Sequence, residues 1–292
     1  MKIKNIKTEA KRKIIQVVAF GFSNANIQNF AGGQIYKGNW KNFCNPGLNC
    51  YSCPAATTAC PIGALQAVAG SSKFDFSFYV VGFLLALGVV FGRAICGFLC
   101  PFGLIQELIH KIPSPKVKLP RPFRYLKYVI LIGFVIIAPI AFTEFGTGAP
   151  AFCEWICPAG TLEAGIPLLA TQPMLQSLIG FLFSWKMIIL VITIVMCILC
   201  ERFFCKALCP LGAIYGLLNK VSLYSMKFMP QNCISCGKCA KVCLMDIDPT
   251  KEPNSIECIR CKKCVSACNF EALNLSFFEH KKKKEANANP AQ

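Results

Sequence analysis

Residues 204–216 read FCKALCPLGAIYG: Cys205 and Cys209, then Pro210 and Gly212, directly after an apolar run long enough to cross a membrane. The phrase recurs as CGFLCPFGLIQ from Cys96 and as CEWICPAGTLE from Cys153. A looser form, CPAATTACPIGALQ, starts at Cys53. Four copies of Cys-Pro-x-Gly-x-[Leu/Ile] make an internal repeat, so one local device is used four times. Proline is favoured in the first turn of a helix, where its missing N–H costs nothing. Each copy therefore predicts a short helix whose N-terminus faces the cysteines. Such a terminus, with free N–H groups and a favourable dipole, suits an anionic centre.

The surroundings predict a membrane protein. The 292-residue chain is 54% hydrophobic and 15% charged, with 24 phenylalanines, well outside the usual soluble balance. Four apolar stretches stand out, Ile14–Phe30, Phe76–Phe91, Tyr125–Phe142 and Ser177–Cys200. A span needs about 20 residues; Phe76–Phe91 reaches that by extending a turn, and Asn24, Asn26, Gln28 and Asn29 interrupt the first stretch. Residues 1–13 carry six Lys/Arg and 92–127 carry seven, against three in 31–75 and none in 143–184. By the positive-inside rule both termini face the cytoplasm of a multi-pass bacterial cytoplasmic-membrane protein. The net charge of +17 then follows the cytoplasmic face, where it meets anionic membrane lipids, and calls for no nucleic acid.

The cysteines fall alternately on the two faces. Cys96 and Cys100 lie inside with Cys205 and Cys209, a complete thiolate quartet of the kind that holds a [4Fe–4S] cluster. Cys153 and Cys157 lie outside, completed most simply by Cys53 and Cys60, with Cys44 and Cys50 as alternates. Arg93, Arg202 and Lys206 flank the inner cysteines, either favouring a reduced cluster or serving as plain positive-inside anchors. Cys197 and Cys200 share one face of the last span. Zinc would suit any single four-cysteine group, but the C-terminal region favours iron.

There the text reads CISCGKCAKVC (Cys233, Cys236, Cys239, Cys243) and then CIRCKKCVSAC (Cys258, Cys261, Cys264, Cys268). Each is Cys-x2-Cys-x2-Cys-x3-Cys, the two-cluster bacterial pattern in which the fourth cysteine of each run ligates the other cluster. The expected organisation is a transmembrane domain over 1–228, a two-cluster ferredoxin-like domain over 229–278, and a basic tail over 279–292. The fold class is an α-helical membrane protein with about four transmembrane helices and short re-entrant or interfacial helices. A small α+β C-terminal domain holds two [4Fe–4S] clusters, and the membrane domain holds two more.

On these motifs, from about Phe76 to Phe278, the chain resembles the polyferredoxin-type membrane proteins of the NapH/NosR/PceC group. The resemblance implies passage of electrons between quinone or cytoplasmic donors and an exported reductase system. The outward-facing copies at Cys153 and Cys60 extend this to transfer across the whole bilayer. The expected partners are a cytoplasmic ferredoxin or flavoprotein donor and a membrane quinone or exported redox protein. Glu107, His110 and Glu201 are inner polar candidates beside a quinone. The chain carries no nucleotide loop or haem-attachment motif, so any substrate chemistry belongs to a partner. Rival readings are a transmembrane thiol–disulfide relay and a cluster-based assembly or regulatory factor.

Overall fold

The computed structural model describes residues 2–70, 77–144, 147–177 and 179–277. Phe76, expected to open the second span, and the basic tail over 279–292 lie outside these. Every Cys-Pro-x-Gly copy opens a helix. Pro61–Ala69, Pro101–Ile109 and Pro210–Leu218 are nine-residue helices with proline in the first turn and the preceding cysteine, extended, at the N-cap. The third copy opens identically at Pro158 and runs on to Thr171.

Among the described residues, two helices have the length and hydropathy of a membrane span, Arg121–Ala141 and Phe181–Leu199. At 1.5 Å per residue they measure about 31 and 28 Å. Only 28% and 17% of their apolar windows are buried. Val129, Ile132 and Ile140 on the first and Ile188, Val191 and Val195 on the second face outward.

The other two expected spans come out differently. Ser77–Phe91 stops at 15 residues instead of extending. Gly92 turns the chain at φ +57°, where a Cβ would lie 2.5 Å from Asn219 Oδ1. The stretch expected at Ile14–Phe30 is the helix Lys2–Ser23, which ends once Asn26 N donates to Ala55 O and Thr57 N to Ser23 O. Its pattern is inverted relative to a soluble amphipathic helix. Ile14, Val17, Val18 and Phe22 point out, while Arg12, Gln16 and Ser23 are buried.

The C-terminal module is α+β. Strand Tyr224–Phe228 pairs antiparallel with Leu273–Phe277, drawing in residues upstream of the expected boundary at 229. The two cysteine runs trace the same backbone: Ser235 and Arg260, Gly237 and Lys262, and Asp246 and Glu271 occupy matching positions, all with positive φ. The module seats on the helical domain through Ser255–Arg260. Asn219 Nδ2 donates to Ser255 O at 2.9 Å and to Cys258 O at 2.7 Å, and Arg260 Nη2 donates to Asn219 O at 2.7 Å. A Cβ at Gly97 would lie 2.6 Å from Ile259 O, and one at Gly216 2.7 Å from Ile256 O. Gly97→Ala is therefore expected to loosen this seat by about 1–3 kcal/mol, as overpacking does. The measurement is a lower thermal-unfolding midpoint at unchanged iron content.

Candidate metal centres

All 20 cysteines are free thiols, and sixteen of them gather in fours. Cys96, Cys100, Cys205 and Cys209 lie within electrostatic reach of one another, all buried; this is the central quartet. Cys50, Cys60, Cys153 and Cys157 form a far quartet and line a cavity of about 500 Å³. In the module, Cys243 joins Cys258, Cys261 and Cys264 beneath the seat. Cys268 joins Cys233, Cys236 and Cys239 at the rim, around a cavity of about 400 Å³. The fourth cysteine of each run thus lies beside the first three of the other.

One expected member is displaced. Cys50, not Cys53, sits with Cys60, Cys153 and Cys157. Cys53 packs with Ala55, Ala56 and Phe30, its Sγ 3.9 Å from Asn24 Oδ1, away from the cavity wall. The cause is the loop's closure: Cys44 bridges Ala59, Asn45 N donates to Ala59 O, and Ala56 N donates to Cys53 O. That closure turns Cys50 inward and leaves Cys53 in the outer turn. Cys44 stays at the cavity edge.

Around the central quartet the two arginines exchange places. Arg93 Nη2 donates to the carbonyl of Cys205, and Arg202 Nη1 donates to the carbonyl of Cys96, both at 2.7 Å. Each precedes its own cysteine by three residues, so the two units brace each other about a local pseudo-twofold. Arg93 also pairs with Glu257, which Lys127 meets as well, and Arg202 pairs with Glu107, which Arg12 and Lys13 meet. Arg93, Arg202 and Lys206 are 0%, 0% and 1% exposed, so they are not surface anchors. Lys206 pairs with Asp246 of the module. Burial is the largest influence and pushes the Glu107 and Glu257 carboxyls up, but Arg202, Arg12 and Lys13 around the first and Arg93 and Lys127 around the second together outweigh it, and both lie below the usual range. Glu107 is a structural counter-ion, engaged on all sides.

The residue six positions after the second cysteine was not singled out from sequence, yet it is polar or hydroxylic in every copy: Gln66, Gln106, Glu163 and Tyr215. The two glutamines reach the opposite unit's first cysteine, with Gln66 Nε2 3.2 Å from Cys153 Sγ and Gln106 Nε2 3.2 Å from Cys205 Sγ. The other two grip the loop between the quartets. Glu163 Oε2 accepts from Cys50 N at 2.8 Å, and Tyr215 OH donates to Pro46 O at 3.0 Å. Burial pushes the Glu163 carboxyl up to about 7, against the pull of the Cys50 N–H. That loop touches both quartets. Leu48 donates its N–H to Cys100, and a Cβ at Gly47 would lie 2.6 Å from Cys100 Cα, while Cys50 belongs to the far group.

The donor set fits iron–sulfur clusters. Soft thiolates in fours suit them, and N–H groups already aim at the sulfurs, Gly212 N lying 3.3 Å from Cys209 Sγ. Among the described residues no three His, Cys, Asp or Glu close on a point fit for a single metal ion. The sulfurs of a tetrahedral zinc site, at about 2.3 Å from the metal, would lie about 3.8 Å apart.

The family model for a 4Fe-4S binding domain matches residues 76–120, 126–166 and 181–228, spanning three of the four repeat copies. The chain is 30% identical over 209 residues to the uncharacterized protein MJ0750 of Methanocaldococcus jannaschii, covering 68% of this chain and 78% of that one. It is 26% identical to the methylamine utilization ferredoxin-type protein MauN of Methylorubrum extorquens, covering 80% and 73%. It is 24% identical to the ferredoxin-type protein NapH of Escherichia coli, covering 63% and 62%. No solved structure matches it. Thiols gathered in fours, a 4Fe-4S family match and ferredoxin-type relatives agree, and the chain belongs to the polyferredoxin-type 4Fe-4S binding proteins, with NapH and NosR.

Proposed function

We propose that the chain is a membrane-embedded electron conduit whose four cysteine quartets each hold one [4Fe–4S] cluster, two in the module and two in the helical domain. The observation that carries this reading is the unbroken file of contacts between quartets. Rim and seat share one apolar cluster, in which Cys239, Cys258 and Cys264 pack with Met226 and Leu273. The seat meets the central quartet where Asn219 holds both Cys258 O and Arg93 N. The central quartet meets the far one through Leu48, two residues before Cys50. When bound, the clusters supply one-electron exchange. The chain holds them in line, excludes water and offsets their charge.

A membrane surrounds the helical domain in this reading. Its hydrocarbon is about 30 Å thick, too wide for one efficient tunnelling step. The helix Lys2–Ser23 runs from the module, where Glu9 meets Lys263, to the far loop, where Ser23 O accepts from Asn49 Nδ2. Its apolar residues face lipid and its polar residues face protein, as bundle helices arrange them. The basic segments put both termini in the cytoplasm. A cytoplasmic ferredoxin or flavoprotein then exchanges electrons with the rim, where Cys236 is exposed. A quinone or an exported redox protein exchanges them at the far quartet.

Anaerobic purification is expected to yield about sixteen irons and as many acid-labile sulfides per chain, four for each cluster. Cys153→Ser with Cys157→Ser should stop electron delivery to an outside acceptor while the module stays reducible. A count of about eight, or unchanged delivery in that variant, overturns the reading.

A further inference from the structure

Gln66 and Gln106 occupy the same repeat position on the helices Pro61–Ala69 and Pro101–Ile109, and both are buried, at 0% and 1% exposure. Each amide is held at both ends. Gln66 Oε1 accepts from Phe152 N at 2.8 Å, and Gln106 Oε1 accepts from Cys205 N at 3.4 Å. A backbone N–H can only donate, so it fixes which end of the amide is oxygen. The NH₂ end must therefore face sulfur: Cys153 Sγ for Gln66 and Cys205 Sγ for Gln106, each at 3.2 Å. That end also donates back to its own helix, to Ile62 O at 3.2 Å and to Phe102 O at 3.3 Å. Neither side chain has freedom to swing away.

We propose that Gln66 and Gln106 are a matched pair of potential-setting residues, each holding an N–H against the first thiolate of the opposite unit, in the far and central quartets respectively. This rests on the reading that both quartets hold [4Fe–4S] clusters. One-electron reduction adds one negative charge to such a site. A fixed N–H dipole on a ligand sulfur, in a low-dielectric interior, stabilises the more negative state and raises the reduction potential. Because the donor has the same chemistry and the same distance at both sites, it shifts the two potentials together. An electron then steps between them with little change in free energy from this source. Glu163 and Tyr215, at the equivalent position of the other two copies, hold the connecting loop instead, so the repeat position divides into two thiolate donors and two loop clamps.

The test is potentiometric EPR on anaerobically purified Gln66→Leu and Gln106→Leu, with iron counted on the same samples. Expected is a tenfold smaller reduced-to-oxidised ratio at fixed ambient potential, which is about 59 mV for a one-electron couple. The shift is toward more negative values, at the far centre in Q66L and at the central one in Q106L. Gln66→Glu and Gln106→Glu keep length and acceptor oxygen while losing the donor, so they are expected to move the same midpoint further. A purely structural brace predicts lost iron in the leucine variants, rescue in the glutamate ones and unmoved midpoints throughout; that result overturns the proposal. If the variants fail to assemble, the unaltered protein decides. Grown with glutamine labelled with ¹⁵N at the side-chain amide, it should show a ¹⁵N coupling at both reduced centres in pulsed EPR, and its absence overturns the assignment. Unaltered protein with about eight irons would instead remove the functional reading itself, and this inference with it.

Discussion

Cys50→Ser is expected to lower the iron content from about sixteen to about twelve atoms per chain, the loss of one four-iron centre, while Cys53→Ser leaves it unchanged. The contrast follows from the loop over 44–59. The bridge between Cys44 and Ala59 closes its base, and Glu163 holds Cys50 N, so the Cys50 thiol turns toward Cys60, Cys153 and Cys157. Cys53 lies in a side cluster with Ala55 and Ala56. Acid-labile sulfide should fall in step with iron in Cys50→Ser, and EPR of the reduced protein should lose one centre while the module's signals persist. Equal losses in both variants would return the far ligand to the position that sequence spacing favoured.

Glu257→Ala is expected to be the most disruptive single change outside the cysteines. Among the described residues, Glu257 is the acid that the salt bridges place against both Arg93 and Lys127, each fully buried. Removing it strands two buried cations, and breaking a buried pair in this way costs about 3–5 kcal/mol. Arg93 is also the brace on the Cys205 carbonyl, so the damage passes from the module's seat into the central quartet. Thermal unfolding should shift down strongly, and reduction of the central centre through the module should slow even in molecules that retain full iron. Glu257→Gln keeps the shape and one acceptor, so it is expected to lose less stability than the alanine variant.

What could be read from the sequence alone was what local chemistry decides. Proline in the first turn and cysteine at the N-cap fix each Cys-Pro-x-Gly helix within a few residues, and all four copies form as their text implies. The ferredoxin runs were equally plain as a twice-repeated Cys-x2-Cys-x2-Cys-x3-Cys spacing. The choice between Cys50 and Cys53 was not. Cys53-Pro54 imitates the repeat, while the contact that holds Cys50 inward, Glu163 Oε2 on Cys50 N, joins segments 113 residues apart. Arg93 and Arg202 carried a positional signal, each three residues before a cysteine, but charge alone cannot tell a buried brace from a headgroup anchor. The end of the second apolar helix at Gly92 was hidden for a similar reason, since Asn219 and Arg260 fill the space a side chain would need.

The glutamine-to-thiol contacts join residues 87 and 99 positions apart. A ribosome working at about 5–20 residues per second needs roughly 4–20 s to deliver the second half of either nest after the first. Throughout that interval Cys60 and Cys100 have emerged without their mates, and no cofactor can be gripped. If these quartets hold clusters, their metal is loaded only after the second pair of cysteines of each has been made.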